Sequence, residues 1–352
     1  MEKSKIFFFL FIVFTLPIII AARPIPDKAK IESARAFFKD KSIEFVVPYA
    51  PGGGYDGKAR LMQRFLEKYL PRVKVLVKNM PGGGSMVATN QVYVARPNGL
   101  TIAILSGVGI VANQIAETPV VKYDATKFTY LGRIDTEKRV LIAGLNSKVK
   151  DLDTLLKPTG KVRQALTGPG SGSYAVTQIV LSSLGFPRED ILGYQSSKEA
   201  QMAVIRGETD IHLSGTEGAE LARRKEVRPI VLLTASPIEG LEKVPNLFSK
   251  ELMEKLKLSD DTIKRISFAR DLMSIGYILA APPKLPPERS WLLEEAIQKT
   301  LHDREFVELG RKSGIIPLVE PLSGEEVLLT VKRLLSVSPE IKSDIKKLMK
   351  PL

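Results

Sequence analysis

The chain has 352 residues, 44% hydrophobic and 26% charged, with a formal net charge of +13, which describes a folded protein large enough for two domains. Cysteine is absent, which excludes disulfides, thiol nucleophiles, iron–sulfur clusters and cysteine-ligated zinc. Lysine and glutamate are interleaved, and no dense basic stripe carries aromatics, so the charge reads as a solvated surface and nucleic acid is not expected.

Glu2-Lys3-Ser4-Lys5 heads an apolar run at 6–20 that closes on Ala21-Ala22. A basic head, apolar middle and small residues predict an export signal over 1–22 and an extracytoplasmic, periplasm-type location. The run is short for a membrane span and contains Pro17; an uncleaved anchor is the alternative. No cysteine is present to carry a lipid. Residues 23–41 read as a polar lead-in with at most one short helix.

From there short apolar runs alternate with amphipathic stretches, which predicts an α/β protein. Strands are expected at 43–49, 73–77, 100–105, 140–144, 162–167, 210–214, 230–234 and 275–280. Helices are expected at 56–70, at 85–95, from 173 to a stop at Gly185, at 199–206, at 286–301 and at 306–312. Ser323 and Glu326 form a capping box for a final long helix. Consecutive strand–helix units predict parallel sheets with right-handed crossovers.

Three of the strand–helix junctions are rich in glycine: Pro51-Gly52-Gly53-Gly54, Pro81-Gly82-Gly83-Gly84-Ser85, and Gly168-Pro169-Gly170-Ser171-Gly172-Ser173. Each exposes main-chain N–H groups at a helix start, where anions bind; the bland alternative is a tight turn, favoured for the Gly82 loop. Gly52 to Ala59 fits G-x-x-x-x-G-K and then fails, because Ala59 stands where magnesium needs a hydroxyl. Gly170 to Ala175 fits G-x-G-x-x-A, but Glu189 and Asp190 read as a loop before the next strand and not as its acidic end. The chain has two histidines, His212 and His302, neither in a nucleophile elbow or with metal spacing. Anion-binding loops without a general base read as binding without catalysis, with no metal or cofactor. Asp56 is expected to cap and shape the first loop.

In order along the chain, residues 47–56 (VPYAPGGGYD) with Ala59-Arg60, residues 77–84 (VKNMPGGG), residues 95–101 (ARPNGLT), residues 168–174, residues 199–210 (EAQMAVIRGETD), Val244-Pro245-Asn246 and Ala280-Ala281-Pro282 resemble the solute receptors of tripartite tricarboxylate transporters. The resemblance spans nearly the whole mature chain. It implies a two-lobed periplasmic binding protein of type II-like α/β fold, with parallel-rich sheets and a two-strand hinge. Lobe 1 would take 42–143 plus 274–352, and lobe 2 would take 144–273. It implies a monomeric receptor, not an enzyme, that closes on a small organic carboxylate, di- or tricarboxylate or related, and hands it to membrane transporter subunits. Carried over by position, ligand contacts fall on Ala50, Gly52, Gly53, Gly54, Tyr55 and Asp56, on Gly170, Ser171, Gly172, Ser173 and Tyr174, and on Ser106-Gly107 and Ser214-Gly215, the serines as hydroxyl donors. Tyr55 and Tyr174 are bulkier than the family pattern and would narrow the pocket or select a flat ligand. A sensory receptor for a membrane kinase and an exported α/β hydrolase are the rival readings.

Overall fold

The computed structural model describes residues 24–316 and 320–350; the export signal expected at 1–22 lies outside them. Ten strands are described: β1 (Ser42–Val47), β2 (Lys74–Asn79), β3 (Thr101–Ser106), β4 (Thr129–Arg133), β5 (Arg139–Gly144), β6 (Val162–Leu166), β7 (Arg188–Leu192), β8 (Ile211–Ser214), β9 (Val227–Leu233) and β10 (Tyr277–Ala281). They form two five-stranded sheets, ordered β2-β1-β3-β10-β4 and β7-β6-β8-β5-β9. In the first, β1 pairs in parallel with β2 and β3, and β10 runs antiparallel between β3 and β4. In the second, β6 pairs in parallel with β7 and β8, and β5 runs antiparallel between β8 and β9. Each sheet therefore has four strands in one direction and one against it, the reversed strand coming from the segment where the chain changes sheets.

Helices cover the sheets because their apolar stripes need burial. The helix Gly54–Tyr69 turns Ala59, Met62, Phe65 and Leu66 inward. They join Phe45, Leu293 and Phe306 in one core, where each fully buried side chain contributes roughly 1.5–3 kcal/mol. A second core is continuous between the sheets. It runs from Val108, Ile110 and Val111 of the helix Gly107–Ile115 to Val176, Ile179 and Val180 beyond β6. Among the described residues no helix is long and apolar enough to cross a membrane.

Several expectations need correction. The helices Gly107–Ile115, Thr216–Arg223 and Asp260–Met273 were not foreseen. Glu189 and Asp190 lie within β7 and not in a loop before it, paired in parallel with Arg163 and Gln164 of β6. Asp190 is held there by Arg188 and Gln178. It sits mid-strand and tied, so it does not supply the free acidic strand end that a dinucleotide site requires. The capping box of Ser323 and Glu326 is present, but the helix it opens stops at Leu335. A separate helix, Pro339–Leu348, follows with proline in its first turn.

The chain passes between sheets twice, and the two passages lie side by side. The segment 134–138 links β4 to β5, and 274–276 leads back into β10. Ile134 N–H donates to Tyr277 O (2.9 Å), Tyr277 N–H to Asp135 O (3.0 Å) and Glu137 N–H to Met273 O (3.0 Å). Gly276 sits at φ +59° with Asp135 O where a Cβ would stand, so no other residue fits there without moving the partner strand.

Candidate functional site

The first glycine loop opens the helix Gly54–Tyr69 with Gly53 as its N-cap, and no side chain caps it. The N–H groups of the first turn therefore face the gap between the sheets with their share of the helix dipole. Asp56 fixes the loop from behind. Its Oδ2 accepts from Gly52 N–H (2.8 Å) and Arg60 Nε (2.9 Å), and its Oδ1 accepts from Asn79 Nδ2 (2.9 Å), which also donates to Tyr49 O (2.9 Å). Burial resists ionisation of Asp56, but Arg60, Gly52 N–H and Asn79 outweigh it and its pKa is lowered. The loop shape is thus set by a buried carboxylate turned away from the gap.

Facing this loop is the start of the helix Gly172–Val176. Ser171 caps it, accepting from Tyr174 N–H (3.1 Å) and donating to Gly168 O (2.9 Å). Between the two loops lies a cavity of about 40 Å³ lined by Tyr49, Gly53, Gly54, Tyr55, Arg139, Thr167, Ser173, Ser196 and Ser197. That is room for a few water-sized groups at roughly 10–15 Å³ each. Thr167 Oγ1 is buried with no hydrogen-bond partner among the described residues, a cost of about 1–3 kcal/mol unless a guest meets it. A wider cleft of about 460 Å³ shares Gly53, Gly54 and Ser197 and extends along Ser197, Lys198, Gln201, Glu217 and Arg224.

The floor is a charged cluster that the sequence did not disclose. Arg139 donates through Nε (3.0 Å) and Nη2 to Glu137 Oε2, and Glu137 Oε1 accepts from Tyr55 Oη (3.4 Å) and Ser106 Oγ (3.4 Å). Burial works against the Arg139 charge, yet Glu137, Tyr277 and Tyr55 hold its pKa above the ordinary value. Tyr55 stacks between Tyr49 and Tyr277, with ring centroids 4.8 and 5.0 Å apart. Burial first, then Glu137, pushes the Tyr55 hydroxyl up, so it stays protonated and donates. Lys58 is 1% exposed, its Nζ has no hydrogen-bond partner among the described residues, and it rests 4.3 Å from the Tyr277 ring centroid, a cation–π contact.

The expected site residues divide sharply. Gly53, Gly54, Tyr55 and Ser173 line the small cavity and Gly52 the wider cleft. Ala50 N–H donates to Gln195 O (3.1 Å), and Gly52 N–H is taken by Asp56. Ser106 caps the helix Gly107–Ile115, and Gly107 N–H donates to Gly276 O (3.0 Å). Gly172 packs against Ser106 and Glu137. Tyr174 is buried in the core, Ser214 Oγ accepts from Gln201 Nε2 (2.7 Å), and Gly215 caps the helix Thr216–Arg223. His212 is buried in β8, and burial lowers its pKa to about 4; His302 ends the helix Pro287–Leu301. Arg139, Glu137, Thr167, Ser196 and Ser197 were missed. The signal available was Glu137-Lys138-Arg139 placed directly before an apolar strand, where surface charge is out of place.

The Gly82 loop has a role of its own. Gly83 O accepts from Gly170 N–H (3.2 Å), and Gly170 O accepts from Ser85 Oγ (3.4 Å) and Asn113 Nδ2 (3.3 Å). Gly84, at φ +67°, lies so close that a Cβ would stand 2.6 Å from both Gly168 O and Ser171 N. The loop is therefore a main-chain clasp against the third glycine loop.

No family model matches the chain. A curated relative, protein BugT of Bordetella pertussis, is 22% identical over 288 residues, 79% of this chain and 82% of the relative. The structure of the periplasmic binding protein BugD superposes with a TM-score of 0.72 at 20% identity, covering 88% of this chain and 98% of that one. MatC from Rhodopseudomonas palustris with bound malate gives 0.70 at 20% identity, covering 88% and 99%. The two sheets and their flanking helices thus have the fold of these periplasmic binding protein structures. The curated relatives and fold neighbours are Bug, UPF0065 and TctC-type proteins, and these are what the chain is similar to.

Proposed function

We propose that the protein is an extracytoplasmic receptor that captures a small organic carboxylate between its two lobes and delivers it to a membrane transporter of the tripartite tricarboxylate type. The observation that carries this reading is the cavity at the uncapped start of the helix Gly54–Tyr69, where a buried Thr167 hydroxyl with no hydrogen-bond partner among the described residues stands with Ser173 and Arg139. A carboxylate headgroup supplies acceptors to the Gly53–Gly54 amides, to Thr167 and to Ser173, with Arg139 as the nearby positive charge. Charge-assisted hydrogen bonds contribute roughly 1.5–3 kcal/mol each, and a few of them reach micromolar affinity, about −8 kcal/mol. The malate held by MatC and the adipate held by another R. palustris protein of the same fold are ligands of this chemical type in those proteins.

Among the described residues there is no cluster of acidic residues and histidines placed to hold a metal ion. His212 lies 2.9 Å from Ser197 Oγ through Nε2 and 2.8 Å from Ala165 O through Nδ1, a serine–histidine contact in which the second nitrogen faces a main-chain carbonyl and not a carboxylate. Mass spectrometry of small molecules carried through purification, followed by calorimetry against a carboxylate panel, tests the reading. Micromolar or tighter binding of at least one carboxylate is expected, and no binding across the panel sinks it.

A further inference from the structure

The helix Met86–Val94 follows the second glycine loop. Its inner side is fixed: Met86, Ala88 and Val92 join Val46 and Leu105 in the core that is continuous between the sheets. Its outer side is apolar as well. Val87 is 49% exposed and Val94 69%, and their spacing puts them on one face of the helix. Asn90 lies between them and ties in a third valine. Its Nδ2 donates to Val120 O (2.8 Å), and its Oδ1 accepts from Lys122 N–H (3.0 Å); Val120 is itself half-exposed. A quarter of the chain is charged, yet residues 79–95 carry no charge. A surface helix ordinarily turns charged residues outward. Single exposed valines need no explanation, but a contiguous uncharged face marks a contact surface.

The rim of this face is cationic. Arg96 stands two residues after Val94 and Lys122 two after Val120; both are exposed, and neither makes an ion pair among the described residues. The carboxylates next to Val120 in sequence are committed elsewhere, Asp124 to Lys127 (3.3 Å) and Glu117 to Lys342 (2.8 Å) and Lys346. A second copy of this +13 chain would bring the same cations to both sides of the contact. The chain's own start lies on the far side of the sheet: Ala34 and Phe38 of the helix Lys28–Phe38 pack with Ile43 and Phe45 in the other core, whereas Val46 turns to the face that carries Met86–Val94. The occupant that fits is another protein with an apolar centre, carboxylates at its edge and few cations. Outward loops of membrane-spanning proteins are poor in cations, because lysine and arginine concentrate in their cytoplasmic loops.

We propose that the face formed by Val87, Asn90, Val94 and Val120 docks on the extracytoplasmic loops of a membrane-spanning transporter subunit, with the valines at the centre and Arg96 and Lys122 meeting carboxylates at the rim. This rests on the receptor reading above and gives its delivery step a place on the surface. The helix opens directly after the clasp, and Met86 Cγ stands 2.4 Å from where a Cβ on Gly170 would lie. A subunit seated on the helix is therefore next to the contact between the Gly82 and Gly168 loops. None of the four residues lines the cleft of Gly52, Lys198 and Glu217, so docking leaves that cleft uncovered.

The test is photo-crosslinking in cells of the source organism that make the full chain, with benzoylphenylalanine in place of Val87 or Val94. The control position is Val307, an exposed valine on the helix Arg304–Lys312, which packs on the other core. Mass spectrometry identifies the adducts. A membrane-spanning protein is expected from Val87 and Val94 and not from Val307. Val94→Asp puts a carboxylate at the apolar centre and should lower the Val87 adduct about tenfold; Arg96→Glu, which reverses the rim, should lower it too. Both variants should bind the carboxylate panel as the unaltered protein does, which shows that they fold and separates docking from capture. Adducts with a second copy or a soluble protein, no adduct from either valine, or the same adduct from Val307 overturn the proposal and leave carboxylate capture standing. A Val87 adduct undiminished by both substitutions also overturns it. No carboxylate binding across the panel sinks the receptor reading and this proposal with it.

Discussion

The tetrapeptide Pro-Gly-Gly-Gly occurs twice, at 51–54 and at 81–84, each time between a parallel strand and a helix of the same sheet, and the two copies do opposite things. The first is tied down from behind by Asp56 and leaves its amides open to a cavity. The second has no such carboxylate: it turns through three positive-φ glycines and lays its backbone on Gly168 and Gly170. Glycine permits close approach of a main chain, and the neighbours decide what approaches. At the first loop Asp56 fixes the turn from behind and leaves Gly53 and Gly54 lining a cavity; at the second, glycines on both sides let the main chains touch.

That contrast can be broken in graded ways. The largest effect is expected at Arg139, which backs the open loop. Arg139→Met strands Glu137 without its cation and should destabilise the fold by about 3–5 kcal/mol, measured by chemical denaturation; adding Glu137→Gln should recover part of the loss. Next comes the wall facing the same loop. His212 has a folded pKa of about 4 against 6.5 for the free side chain. A depressed value means that its contribution is complete above about pH 6.5 and is lost as pH falls toward 4. Stability should therefore drop by about 3 kcal/mol across that window, and His212→Gln should flatten that part of the profile.

The clasp follows. Gly84→Ala puts a methyl against Gly168 O at a left-handed φ, and should cost about 1–3 kcal/mol. It should also enlarge the radius of gyration measured by X-ray scattering. The smallest change in stability is expected at the open loop itself. Gly53 has an ordinary φ of −84°, so Gly53→Ala should shift stability by under about 0.5 kcal/mol. Its methyl would point toward Ser196 Cβ at 3.3 Å and into the cavity, so ligand affinity should fall at least tenfold. If Gly53→Ala and Gly84→Ala behave alike in both assays, the two loops are not the different devices described.

Much of the fold was legible because it is written in local patterns. β1, β3 and β10 carry apolar residues in strand-like runs, and glycine or proline marks their ends. β7 was not legible: Arg-Glu-Asp-Ile-Leu at a sheet edge shows neither alternation nor an apolar run. The helix Gly107–Ile115 was hidden because all of it but Gln114 is buried, so it lacks a clear polar face. The site was half legible. The Gly52 loop and Ser173 follow from the chemistry of helix starts, but the Glu137–Arg139 pair, Thr167 and Ser197 come from segments brought together by the crossover and by β6 and β8. Their charge and hydroxyls read as surface until the fold buries them.

The central claim is that a carboxylate headgroup sits between the start of the helix Gly54–Tyr69 and Ser173. A crystal structure of the protein with its tightest-binding carboxylate tests it most directly. The expected result is a headgroup within hydrogen-bond distance of the Gly53–Gly54 amides, Thr167 Oγ1 and Ser173. A ligand bound instead beside Gly82–Gly84 and Tyr194, with the small cavity closed by its own side chains, would contradict it.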